Sequence, residues 1–265
     1  MTAALVVLVL VTVNFANNQL TYQMAQGEFN ACKDFMQSSG TQIDNVAWTI
    51  GRTETVDYTA KYGQVAFAPS VLTYTFYVYG TNNVLLDTYS FPTGMILYDM
   101  PTATYSVGNN YFSRIVLSYN GSFVQSGVSA PIYQEFAIEN ATAYGNYARI
   151  VTVPTVRLLV STIDGENYYE FYLPSLVEGS YPYLSQALTL TGNGLNMAAP
   201  SGSIGSIKIT ATPSPNIISP LNPALDFSVN NSFFDFTSSS ESIPINSNSL
   251  VEIYNGNVTV AIGLT

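Results

Sequence analysis

Between Ala3 and Val13 every residue is apolar except Thr12, and no Lys or Arg precedes the run. A helix that is apolar around its whole circumference must be buried in protein or lipid. The run falls short of the roughly 20 apolar residues that a spanning helix takes. It also lacks the basic region and the small-residue cleavage site of a secretory signal. Val-rich runs suit strands as well. Helix is preferred because the chain continues into a helical pattern without a turn signal, and strand stays open as the alternative.

That pattern begins at Ala25. Ala25, Phe29, Cys32, Met36, Ser39, Ile43, Val46 and Ile50 step by 4, 3, 4, 3, 4, 3, 4, while Gln26, Asn30, Lys33, Asp34, Gln37 and Asp44 fall elsewhere. This is one apolar stripe along a helix, packed against something. Gly27 and Gly40 weaken the helix by about 1 kcal/mol each relative to Ala. Gly51 reads as its stop signal, and no proline occurs before Pro69. Trp48, near the helix end, is expected to pin the helix to the first strand.

From Thr53 onward the sequence reads as β. TVDYTAKYGQVAF, VLTYTFYVYG, VLLDTYSF, YARIVTV and VRLLVSTIDGENYYEFYL are rich in Tyr, Phe, Val and Thr. Asn82-Asn83, Asn120-Gly121, Asp164-Gly165 and Asn255-Gly256 are expected as hairpin turns, because Asx-Gly tolerates the positive φ that such turns require. Many short strands with these turns argue for a sandwich or an open barrel-like sheet. The proline-rich stretch 198–223 reads as an extended loop with one short strand at SIKITAT, or alternatively as a divide between two β modules. The expected fold is therefore α+β: a long N-terminal hydrophobic α-helix over residues 1–51, followed by a β-rich, antiparallel sandwich-like head over 52–265.

Charged residues make up 9% of the chain, where a soluble domain carries about 25%. Acids outnumber bases 17 to 7 and the bases are scattered, so a phosphate backbone would be repelled and nucleic-acid binding is not expected. The absence of histidine removes the commonest general base and metal ligand, and with it a Ser-His-Asp triad. Three acid pairs, Asp164/Glu166, Glu135/Glu139 and Asp226/Asp235, have the residue types of a glycosidase. They sit beside turns or at strand ends, where solvated acids are common. Asp164 and Glu166, with Asn167, form the one weak candidate for a calcium site; no cofactor is expected. Cys32, the single cysteine, reads as a small buried apolar residue. Sequons at Asn120, Asn140, Asn230 and Asn257, with sparse charge and many Tyr and Thr, favour an extracellular and glycosylated surface.

A leading apolar helix, an amphipathic continuation and a β-rich head with little charge resemble an archaeal type IV pilin-like subunit. The stretch VAWTIGRTETVDYTAKYGQV resembles the helix-to-strand junction of archaeal surface proteins with class III signal peptides. The likeness covers the layout of the first 70 or so residues, and composition alone in the head. Two features depart from it. Bacterial type IV pilins carry Glu at the fifth mature position, and here Leu5 stands there. No basic leader is visible, so the chain reads as the processed form.

The resemblance implies an extracellular cell-surface filament with a role in adhesion, a helical homopolymer whose subunits sit in the membrane before assembly. Leu5, Val6, Val7, Leu8, Val9, Leu10, Val11, Val13, Phe15 and Leu20 would then form the polymerisation surface. Phe29, Cys32, Met36, Ile43, Val46, Trp48 and Ile50 would hold the helix to the head. Other readings of the residues are a filament built by strand donation from residues 3–13, and a membrane-anchored sugar-binding adhesin with aromatic side chains at its tip. The last is a secreted hydrolase acting through Asp164 or Glu166.

Overall fold

The computed structural model describes residues 2–108, 112–114, 123–126, 131–138, 147–180, 186–213 and 240–263. One helix, α1 (Thr2–Ala47), leads the chain. The apolar run is therefore helical, and the strand alternative for residues 3–13 does not hold. The strands that follow are β1 (Thr53–Asp57), β2 (Gln64–Gly80), β3 (Leu85–Pro101), β4 (Phe112–Arg114), β5 (Val124–Ser126), β6 (Pro131–Ile138) and β7 (Tyr147–Pro154). The remainder are β8 (Val156–Ile163), β9 (Glu166–Glu178), β10 (Ala187–Ala198), β11 (Ile204–Pro213), β12 (Ser240–Pro244) and β13 (Ser249–Ile262). The class is α+β, as the sequence pattern predicts.

Among the described residues the strands form two sheets, in the orders β1-β10-β13-β9-β8-β5 and β12-β11-β2-β3-β7-β6-β4. The seven-stranded sheet is antiparallel throughout. The six-stranded sheet is mixed, because β13 lies parallel to β9 and β5 parallel to β8. Strands from before and after 198–223 share both sheets, so the chain does not divide into separate sheets there. The SIKITAT strand is the inner part of β11, hydrogen-bonded on both sides.

Two of the expected hairpin turns are present. Asn83 takes φ 60° between β2 and β3, and Asp164 and Gly165 take 53° and 86° between β8 and β9. Asn255-Gly256 is not a turn: β13 runs straight through it. The Asn255 amide is buried and donates to the Leu173 carbonyl (3.2 Å) and to Ser175 Oγ (2.6 Å). Asn120-Gly121 lies outside the described residues.

Two apolar clusters organise the interior. The first joins the sheets: Tyr74 and Phe76 of β2, Leu97 of β3 and Ile209 of β11 meet Phe171 of β9 and Ile253 of β13. Phe76 and Phe171 cross edge-to-face at 5.9 Å. The second cluster packs the later half of α1 against both sheets, with Phe67, Ile96, Tyr98 and Ile150 from one and Leu188, Val258 and Val260 from the other. Val251 and Ile253 of β13 belong to the first cluster, whereas Val258, Val260 and Ile262 belong to the second. The change of parity falls at Asn255-Gly256. Successive side chains alternate faces, so the strand serves one core with each face.

Candidate functional site

The stripe read from the sequence is the face that α1 buries. Ala25, Phe29, Cys32, Met36, Ser39, Ile43 and Val46 are all at most 1% exposed. Ile50 is the exception, at 69% exposure. The helix ends at Ala47, the Thr49 N–H turns back to the Val46 carbonyl (3.2 Å), and Gly51 takes φ 82°. Beyond that turn the helical period no longer governs which way a side chain points, so Ile50 leaves the stripe. Trp48 packs against the second cluster, and the ring partner it has is on β9 and not on β1. Its ring meets Tyr172 of β9 edge-on at 5.2 Å, and the Arg157 guanidinium lies 5.6 Å from its centroid.

Several anchoring residues carry no signal in the apolar pattern. Glu28 sits at the inner margin of the stripe, three residues after Ala25. Its carboxylate accepts the backbone N–H groups of Lys61 (2.8 Å), Tyr62 (3.0 Å) and Gly63 (2.8 Å), and the Tyr98 hydroxyl (2.8 Å). A side chain thus satisfies three donors of the segment joining β1 to β2. Burial drives the Tyr98 hydroxyl far above the ordinary phenol range, and the bond to Glu28 adds to the effect. Burial likewise pushes Tyr58, packed on Phe35 at 5.0 Å, up to about 12.

Further along, the Thr152 hydroxyl donates to the Met36 carbonyl (3.0 Å). Asp44 pairs with Arg157 (3.4 Å), whose guanidinium also lies 4.6 Å from the Tyr172 centroid. At the helix end the backbone itself touches the sheet. A Cβ on Gly192 would overlap the Val46 carbonyl oxygen, and one on Gly256 the Ala47 carbonyl oxygen. Gly256 is thus required by a close approach of helix to strand, the other use of glycine in a β-strand. The signal misread as a turn marks the seat of α1.

The earlier half of α1 is in the opposite situation. Every residue from Ala4 to Met24 is exposed. Leu5, Val6, Val7, Leu8, Val9, Leu10, Val11, Val13, Phe15 and Leu20 are exposed by 51–70%. At 1.5 Å per residue this 21-residue segment projects about 31 Å. No charged side chain precedes Glu28. Where the helix leaves the head it is collared by aromatic side chains: Tyr22 lies 5.3 Å from Tyr105, Tyr105 5.2 Å from Phe29, and the Tyr62 hydroxyl 3.7 Å from the Met24 sulfur. By length and composition α1 is able to cross a membrane, a test that signal sequences and core helices of soluble proteins also pass.

Asp164 and Glu166 flank the β8–β9 turn and are exposed. Among the described residues no group of three His, Cys, Asp or Glu side chains comes together as a metal site would need. Of the other acid pairs, Glu139, Asp226 and Asp235 lie outside the described residues. So do the sequons at Asn120, Asn140 and Asn230. Asn257 is half-buried in β13, opposite Gly194 at a bulge in the pairing with β10.

Set against known protein families, curated proteins and solved structures, the chain matches none.

Proposed function

We propose that this chain is the structural subunit of an extracellular, archaeal type IV pilus-like filament with an adhesive role. It polymerises through the projecting half of α1, and the β-rich head faces solvent. No catalytic role is assigned to it. One observation carries the reading: a continuous helix is seated in a folded head over its later half, while its earlier half is uncharged, exposed and, as far as Val13, apolar in all but Thr12. Fully burying a Val, Leu or Phe side chain contributes about 1.5–3 kcal/mol. Enclosing ten of them, each already partly covered, comes to roughly 10–20 kcal/mol per copy, against an association cost of about 4–15 kcal/mol. Repeated head-to-tail contacts that do not close make a helical filament. Before assembly the same segment would lie in the membrane, with Asn14, Asn17 and Asn18 poorly tolerated there.

The length of the bare segment also favours a second reading, a membrane-anchored monomeric adhesin, since about 31 Å matches a hydrocarbon core of about 30 Å. Deleting residues 1–24 and imaging the full-length protein separates the two. A filament subunit gives filaments at full length and a soluble, folded monomer after the deletion. Full-length protein recovered only as a detergent-solubilised monomer would favour the anchor and reject the filament.

A further inference from the structure

The buried stripe of α1 does not stop at Ala25. At 3.6 residues per turn, Thr21, Asn18 and Asn14 fall within the arc that holds the buried positions, with Asn17 at one margin and Tyr22 and Phe15 at the other. The face that the head covers from Ala25 to Val46 is thus continued, over 14–21, by three amides and a hydroxyl, all exposed. None of the three asparagines has a hydrogen-bond partner among the described residues. Val9, Val13, Ala16 and Leu20 lie on the opposite half of the helix, with Gln19 and Gln23 also off the amide arc. The hydrophobic effect brings apolar faces together, but an amide buried among valines without a partner is unfavourable. The two faces therefore call for different neighbours.

We infer that in the assembly Asn14, Asn17, Asn18 and Thr21 are covered by the head of a second copy of this chain, while the opposite face packs on the helices of other copies. The inference rests on the filament reading. Two features point to a head as the occupant. The stripe is continuous with the interface that already joins helix and head within one chain, so it faces the side on which heads lie. A head also offers backbone and hydroxyl groups able to pair with amides, such as those that Glu28 and Met36 already engage. In this arrangement the apolar contacts drive association, and the amides fix the axial position of one head along the next helix.

The test uses the full-length chain. Cys32, the single native cysteine, is 1% exposed and out of reach of a thiol reagent. Asn18→Cys and Ala16→Cys can therefore each carry a photoactivatable benzophenone. In assembled filaments, position 18 should yield adducts with peptides from 52–263 of another copy, and position 16 adducts with peptides from 2–24. Filaments in which position 18 gives no head-derived adduct overturn the inference and leave the filament reading standing. Wild-type protein that forms no filaments rejects the filament reading itself. A label-free check is the triple variant Asn14→Leu/Asn17→Leu/Asn18→Leu. Its filaments should form with a shifted helical rise or twist, and unchanged symmetry would also overturn the inference.

Discussion

The two halves of α1 share a backbone and a secondary structure, and differ in whether the chain supplies its own cover. From Ala25 to Ala47 the helix buries a narrow apolar stripe and turns polar residues outward, as an amphipathic helix on a protein core should. From Ala4 to Val13 it is apolar all round save for Thr12, and every residue is exposed among the described residues. A one-sided stripe asks for one neighbour, and the head is that neighbour. Apolar surface on every side asks for several, and the described part of the head covers none of residues 4–24 beyond a partial contact at Tyr22 and Met24. The difference separates what folds a single copy from what is left for partners.

The comparison is broken most sharply by Leu8→Asp. A carboxylate on the bare half should abolish filament formation in electron microscopy, while the melting temperature of the head stays unchanged. Next, Phe29→Ala on the buried half should destabilise the head by about 3–5 kcal/mol in chemical denaturation. Any effect on assembly should follow only from the loss of folded protein. Glu28→Ala orphans three backbone donors and the Tyr98 hydroxyl, and should cost about 2–3 kcal/mol. Hydrogen exchange should speed up at Lys61, Tyr62 and Gly63 before it does elsewhere.

A smaller effect is expected from pH. Folded protein holds the Tyr58 proton to about pH 12, whereas a free phenol ionises near 10. The neutral ring therefore contributes its full stability below pH 10 and loses it as pH rises from 10 to 12, because the unfolded chain ionises first. Thermal melts across that window should fall, and fall less steeply in Tyr58→Phe. Smallest of all, Ile50→Ser should change stability by no more than about 0.5 kcal/mol. A larger loss would mean that the stripe extends past Ala47 after all.

The helix was legible because its cause is local. A 4-3 repeat of apolar residues reports directly on a helical face, and each of its positions from Ala25 to Val46 is buried, although Phe35 and Gly40, buried beside the stripe, fall outside the repeat. It failed at Ile50, where a turn ends the period. The β head was legible as a class and in two of its turns, since Asn83 and Asp164 need positive φ whatever the rest of the fold does. Gly256 was misread because a hairpin and a close approach of two elements both call for glycine, and only the distant helix decides between them. The parallel pairing of β13 with β9 leaves no local mark either. Glu28 was overlooked for a similar reason. An acid at the margin of an apolar stripe looks solvated until the loop at 61–63 is folded over it.

The positions of the anchors bear on how the molecule carries tension. Glu28 grips the head near the point where α1 emerges. The carbonyls of Val46 and Ala47 press on Gly192 and Gly256 at the other end, 19 residues and about 28 Å further along the axis. A pull on the projecting segment is directed along that line. It strains the whole seam in shear, so that contacts from Ala25 to Ala47 must slide together and cannot be peeled in turn. The stress then enters the six-stranded sheet through β10 and β13, inside the edge strand β1, where each strand is held by a neighbour on either side.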